Sequence, residues 1–124
     1  MPLVLIVDDN EKNRKLAAAV LSAAGFETLG AGTGAEGLAL AAERIPDVIL
    51  MDLRLPDMDG TEAARSLRDD QPTARIPVVA MSALPLEGSG EWLEAAGFVG
   101  SIEKPIRVGT FPDEVRRFCL DEPA

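Results

Sequence analysis

Residues 3–9 read Leu3-Val4-Leu5-Ile6-Val7-Asp8-Asp9, five consecutive aliphatic side chains that end abruptly in two carboxylates. A run this short, with no polar alternation, fits a parallel strand covered on both faces. Four further short runs follow: Glu27 to Ala31, Val48 to Met51, Ile76 to Met81 and Phe98 to Ile102. Val48 to Met51 and Ile76 to Met81 are again almost wholly aliphatic, whereas Glu27 to Ala31 is mixed and reads as an edge strand. Between the runs lie longer segments with apolar residues at three-to-four spacing, as in Leu16, Val20 and Leu21, or Leu38, Leu40 and Ala41, the pattern of helices with one buried face. Thr33-Gly34-Ala35-Glu36 has the form of a capping box, and Thr110, with Pro112 and Asp113 after it, marks another helix start. Gly25 and Gly97 stand where helices end.

The alternation predicts an α/β fold of five β–α units, a doubly wound five-stranded parallel sheet with right-handed crossovers. In the flavodoxin-like (βα)5 arrangement, with strand order 2-1-3-4-5, the ligand crevice opens at the carboxyl ends of strands 1 and 3, where neighbouring crossovers leave on opposite faces. No linker, low-complexity tract or composition break divides residues 1–124, so one domain is expected, fraying over Asp121 to Ala124.

Composition closes off several chemistries. The 124 residues include no histidine and one cysteine, so a Ser-His-Asp triad, a zinc finger and an intramolecular disulfide are all excluded. A phosphohistidine, if one is involved, belongs to a partner. The formal charge of -9 repels nucleic-acid phosphates, so a protein partner or a cation fits better than direct nucleic-acid binding. With 47% hydrophobic residues the chain is long and apolar enough for a real core, with a radius of gyration of about 14 Å. No apolar run approaches the roughly 20 residues that span a bilayer, and Met1 to Asp9 turns acidic where a leader would carry a cleavage site; a cytoplasmic protein without membrane insertion is expected.

The ends of the runs carry the chemistry. Asp8 and Asp9 close the first and Asp52 closes the third, so three carboxylates meet at the expected switch point. Like charges this close raise one another's pKa, and burial adds a desolvation cost; a divalent cation removes both. Mg2+ takes hard oxygen ligands, one or two of them carboxylates, which is the character of this cluster. Ser82 ends the fourth run and Lys104 follows the fifth. A hydroxyl donates to an incoming anionic oxygen, and an ammonium offers a point charge to a phosphate. Singly, each residue has an ordinary reading as a helix cap, turn residue or solvated end. Together they are the requirements of phosphoryl transfer.

Four segments with this spacing resemble the receiver domains of two-component response regulators: Leu5 to Asn10 (LIVDDN), Ile49 to Gly60 (ILMDLRLPDMDG), Ile76 to Ala83 (IPVVAMSA) and Glu103 to Ile106 (EKPI). The resemblance covers essentially the whole chain. It implies that Asp52 is the phosphoacceptor, taking its phosphoryl group from a sensor histidine kinase or histidine phosphotransfer protein. It implies that Asp9, Asp52 and the backbone carbonyl of Arg54 bind Mg2+ directly, with Asp8 assisting through water. Lys104 then contacts the phosphoryl oxygens, and Ser82 is the hydroxyl that swings toward them. With no output domain in evidence, the chain resembles a stand-alone CheY-like regulator nearest the DivK type, which signals through a downstream protein. It departs from the family at Ser101, three residues before Lys104, where receivers usually carry Tyr or Phe.

A second candidate function is a Mg2+-dependent aspartyl phosphatase. That chemistry needs a general acid near the nucleophile, and Arg54, two residues beyond Asp52, donates no proton near neutral pH. A third is a phosphorylation-independent pseudo-receiver that only binds, to which Ser101 points. The favoured reading is a signalling domain that catalyses only its own phosphorylation and dephosphorylation. The segment after Ser82, Leu84 to Trp92, contains a proline and two glycines that weaken a helix start and leave a movable element. Trp92 reads as a core residue, and Cys119 as a small apolar residue of the last helix.

Overall fold

The computed structural model describes residues 2–82, 95–104 and 106–119. Strands β1 (Leu3–Val7), β2 (Glu27–Ala31), β3 (Val48–Asp52), β4 (Val78–Ser82) and β5 (Gly100–Glu103) alternate with helices α1 (Glu11–Ala23), α2 (Gly34–Arg44), α3 (Gly60–Asp69) and α4 (Phe111–Phe118), with a single 3-10 turn at Gln71–Thr73. All pairings are parallel and the order is β2-β1-β3-β4-β5, as the alternation predicts. The mixed strand β2 is indeed an edge. The readings of Leu84 to Trp92 and of Asp121 to Ala124 fall outside the described residues. No helix among those described is long and apolar enough to cross a membrane.

The aliphatic strands are buried because successive side chains serve two cores. Leu5, Val7, Ile49, Met51, Val78 and Ala80 face Ala41, Ala63, Ala64 and Leu67 of α2 and α3. Val4, Ile6, Val48, Leu50, Val79 and Met81 face Ala17 and Leu21 of α1 and Phe111 and Val115 of α4. Each strand interior therefore leaves water on both sides, and at roughly 25 cal/mol per Å² of apolar surface this is the dominant stabilising contribution. The two-sided cover also puts α1 and α2 on opposite faces, which opens the crevice at the carboxyl ends of β1 and β3.

The termini of the helices show which local signals act. After α1, Gly25 takes φ +97° and donates to Ser22 O at 3.1 Å, while Phe26 N donates to Leu21 O at 3.0 Å, a Schellman closure. Gly97 also takes a positive φ, of 105°. The capping box at Thr33 is half made: Thr33 Oγ1 accepts from Glu36 N at 3.1 Å, but Glu36 turns back to Gly32 N at 2.9 Å. The full reciprocal box occurs instead at Asp59 and Glu62, opening α3. Thr110 does precede the last helix, but with φ -116° and ψ -18° its side chain makes no capping bond.

Four expectations shift on folding. In α1 the buried positions are Ala17 and Leu21, and Leu16 is 45% exposed. β4 begins two residues late, at Val78, because Ile76 N is used by Thr73 O and Pro77 has no N–H to give a neighbour. β5 likewise begins at Gly100, where a side chain would collide with the Phe118 ring at 2.7 Å. Cys119 lies just past α4, half-buried, with Sγ 3.6 Å from Val115 O.

Candidate functional site

At the end of β1 the chain leaves the sheet at Asp8, whose amide donates to Ala31 O of β2 at 3.0 Å. Asp8 is buried and Asp9 exposed, and Asn10 then caps α1 by accepting from Asn13 N at 3.1 Å. Asp52 is the last residue of β3 and is 8% exposed. One carboxylate oxygen from each of Asp8, Asp9 and Asp52 lies within 4.8 Å of the others. The three acids thus converge at the predicted end of the sheet.

Lys104 follows β5 and reaches back into the cluster. Its Nζ is 3.1 Å from Asp8 Oδ2 and 3.1 Å from Asp52 Oδ2. The remaining oxygens are held by the backbone: Asp8 Oδ1 accepts from Asn10 N at 2.9 Å and Asp52 Oδ1 from Arg54 N at 3.1 Å. Asp8 and Asp52 are therefore each fixed by one amide and the same ammonium, and no buried side-chain polar atom among the described residues lacks a partner. Arg14, which sequence reasoning passed over, adds a support. Its Nη1 donates to Asp8 O at 2.8 Å, while its stem lies over Gly30, where a Cβ would come 3.1 Å from Arg14 Cδ.

Burial pushes the Asp52 carboxyl up; the Arg54 amide and the Lys104 charge pull the other way without cancelling it, and Asp8 adds to the rise. Burial alone would draw Lys104 down, but its bond to Asp8 and the charges of Asp52 and Asp8 outweigh this and hold it above its ordinary value of 10.5. A carboxyl raised in the folded state favours folding while protonated and loses that advantage as pH rises through the raised value. At neutral pH, without added metal, Asp52→Asn should therefore melt a few degrees higher than the wild type. The gap should narrow as pH falls toward the acid range, measured as Tm by circular dichroism. A wild type that melts higher than the variant at neutral pH would contradict the burial argument.

The backbone of Ser82 closes β4 opposite Glu103. Ser101 is exposed on β5, whereas Phe98 is 2% exposed and belongs to the core beside α3, so it does not take the usual aromatic's place. A cavity of about 290 Å³ lined by Leu16, Ala17, Leu50, Met81 and Ile106 opens beside Asp8 and Lys104. A larger one of about 680 Å³ lies at the opposite end of the sheet, around Arg68, Arg75 and Arg117, away from the carboxylates.

Fold and site together define a flavodoxin-like domain with three carboxylates and one ammonium gathered at the carboxyl ends of its strands. Over residues 4–116 the chain matches the response regulator receiver domain, and it belongs to that family. It is 40% identical over 118 residues to the polar-differentiation response regulator DivK of Brucella ovis, covering 95% of this chain and 96% of that one. Among solved structures it resembles the chemotaxis response regulator CheY4 of Vibrio cholerae, with TM-score 0.85, 30% identity and coverage of 95% and 98%. It also resembles the receiver domain of sensor histidine kinase PA1611 from Pseudomonas aeruginosa, with TM-score 0.84, 30% identity and coverage of 94% and 96%; that structure has a magnesium ion coordinated in its active-site cleft. The chain is a CheY- and DivK-like receiver domain of two-component signalling, a class built for phosphorylation-based switching rather than conventional enzymatic turnover.

Proposed function

We propose that residues 1–124 act as a single cytoplasmic receiver that accepts a phosphoryl group on Asp52 from the phosphohistidine of a sensor histidine kinase or histidine phosphotransfer protein, and signals by contact with a downstream protein. The observation that carries this reading is Lys104 Nζ standing 3.1 Å from both Asp8 and Asp52 inside a three-carboxylate cluster. In the transfer, a bond forms between an Asp52 carboxylate oxygen and phosphorus, the phosphorus–nitrogen bond of the donor breaks, and the partner's imidazole leaves with the electron pair.

The donor set fits Mg2+: the three side chains that group together offer carboxylate oxygens, a hard donor, on a cluster small enough to share one ion. Asp9 and Asp52 with the Arg54 carbonyl would hold the ion, and Asp8 would act through water. When bound, Mg2+ neutralises charge on the phosphoryl oxygens. The chain's own groups do the rest. Arg54 N and Lys104 keep the Asp52 carboxylate aimed into the crevice, Lys104 meets the incoming oxygens, and the Ser82 hydroxyl offers a further donor from the end of β4. The added charge of about -1.5 to -2 requires those donors to rearrange, which is the signal. Exposed Ser101 means that the read-out runs through groups other than the usual aromatic.

Incubation with Mg2+ and acetyl phosphate, followed by intact-mass measurement, tests this reading. One phosphoryl group per chain is expected with Mg2+ and none with excess EDTA. Ser101 is the observation that favours a pseudo-receiver; no labelling under either condition would establish that alternative. Sustained hydrolysis of a phosphomonoester, far beyond one equivalent per chain, would indicate a phosphatase.

A further inference from the structure

The loop joining β3 to α3 carries the Arg54 peptide over the crevice, and it is closed on itself. Gly60 N donates to Leu53 O at 3.0 Å, and Arg54 pairs with Asp59 in an antiparallel bridge. Gly60 is the residue that allows this, because a Cβ there would overlap the carbonyl oxygen of Asp52. A turn with only its two stem ends fixed can still rock about them.

An anchor from another element opposes that motion. Asp57, exposed at the tip, accepts from Gly34 N at 2.8 Å through Oδ1 and from Ala35 N at 2.9 Å through Oδ2. These are the first two amides of α2, which have no partner within the helix, and a carboxylate complements the positive end of the helix. The other amides of this terminus are met locally by Thr33 and Glu36. Beside Asp57, Met58 rests against Gly34 so closely that a Cβ there would come 2.5 Å from Met58 Cγ. The tip is thus held by two charge-assisted bonds and one close apolar contact. The two amides hold the Asp57 carboxyl below the usual carboxylate range. Its share of stability is accordingly present at neutral pH and lost only as pH falls through that depressed value.

We infer that Asp57 is a positioning residue: by clamping the tip of the β3–α3 loop to the amino end of α2, it fixes the Arg54 peptide and so the carbonyl oxygen offered to the cation. The inference rests on the receiver reading of the preceding subsection. Mg2+ demands near-ideal octahedral geometry, so one loosened oxygen weakens the site even when every carboxylate remains. Neither α2 nor Asp57 would supply a ligand to the ion, and the effect would pass through the loop alone.

Mg2+ titration by calorimetry of the wild type, Asp57→Asn and Asp57→Ala tests it, with circular dichroism to establish that each is folded at the temperature used. Loss of an outer-shell support of this kind costs about tenfold in metal affinity, expected for Asp57→Ala, with Asp57→Asn in between because its amide oxygen still accepts one bond. Labelling by acetyl phosphate should be slowed at low Mg2+ and return to the wild-type rate at saturating Mg2+. The isosteric Asn variant carries the test if the Ala variant does not fold. Unchanged Mg2+ affinity in the folded variants, with only a lowered Tm, would overturn the clamp while leaving the receiver reading intact. A wild type that binds no Mg2+ would overturn that reading and the inference with it.

Discussion

Asp52→Asn should leave the chain unable to take up a phosphoryl group from acetyl phosphate, with labelling slowed by at least about a thousandfold under conditions that modify the wild type fully. The substitution is isosteric and keeps an oxygen for the Arg54 amide, so the fold survives and the loss is chemical. An amide oxygen carries no full charge and is a poor nucleophile toward phosphorus. The neighbours do not substitute for it. Asp8 Oδ1 is taken by Asn10 N and Oδ2 by Lys104, and Asp9 is exposed at the rim. Intact mass against time, with the acid and base lability of an acyl phosphate as a check, measures the effect. Equal labelling of both proteins would place the chemistry on another residue.

Lys104→Met should act in two directions at once. Without metal, Asp8 and Asp52 lose the one ammonium that lies 3.1 Å from both, and breaking such a buried arrangement costs about 2–4 kcal/mol. The figure lies toward the low end for buried pairs because Asn10 N and Arg54 N still serve the two carboxylates. With metal, the missing positive charge no longer repels the ion, and Mg2+ should bind about tenfold tighter and restore most of the lost stability. Phosphoryl uptake should nonetheless fall by about a hundredfold, because no ammonium is left to meet the transferred oxygens. Urea denaturation with and without Mg2+, together with the labelling rate, separates the three effects. A variant with unchanged stability and unchanged labelling would remove Lys104 from the site.

The parallel sheet was legible because its strands are buried on both faces, which leaves runs such as Leu3 to Val7 without polar interruption. The convergence of Asp8, Asp9, Asp52 and Lys104 followed from strand order alone, since each stands at a carboxyl end. What the sequence concealed depends on partners distant along the chain. Nothing around Asp57 announces that its carboxylate meets the amides of α2, because those amides lie in a separate element. Arg14 reads as one more charged residue of a helix until Gly30 is seen beneath it. Thr110 and Glu36 carried the right local signals, yet neighbouring geometry overrode one and redirected the other. The full capping box at Asp59 and Glu62 went unread, although an acid three residues before a glutamate is its local signal. At the end of α2 the chain adopts φ 45° at Ile45, a β-branched residue where glycine is usual, with Pro46 directly after it.

The bond between Asp8 and Lys104 closes a separation of 96 residues. No hairpin, helix pair or other local fragment can assemble these groups, so the ion pair forms only when the first and last strands are both seated. Parallel sheets pay loop-closure entropy before long-range contacts repay it, which slows their assembly. A nascent or half-collapsed chain therefore lacks the Asp8–Lys104 pair, whose closure marks the point at which the sheet is complete from its first strand to its last.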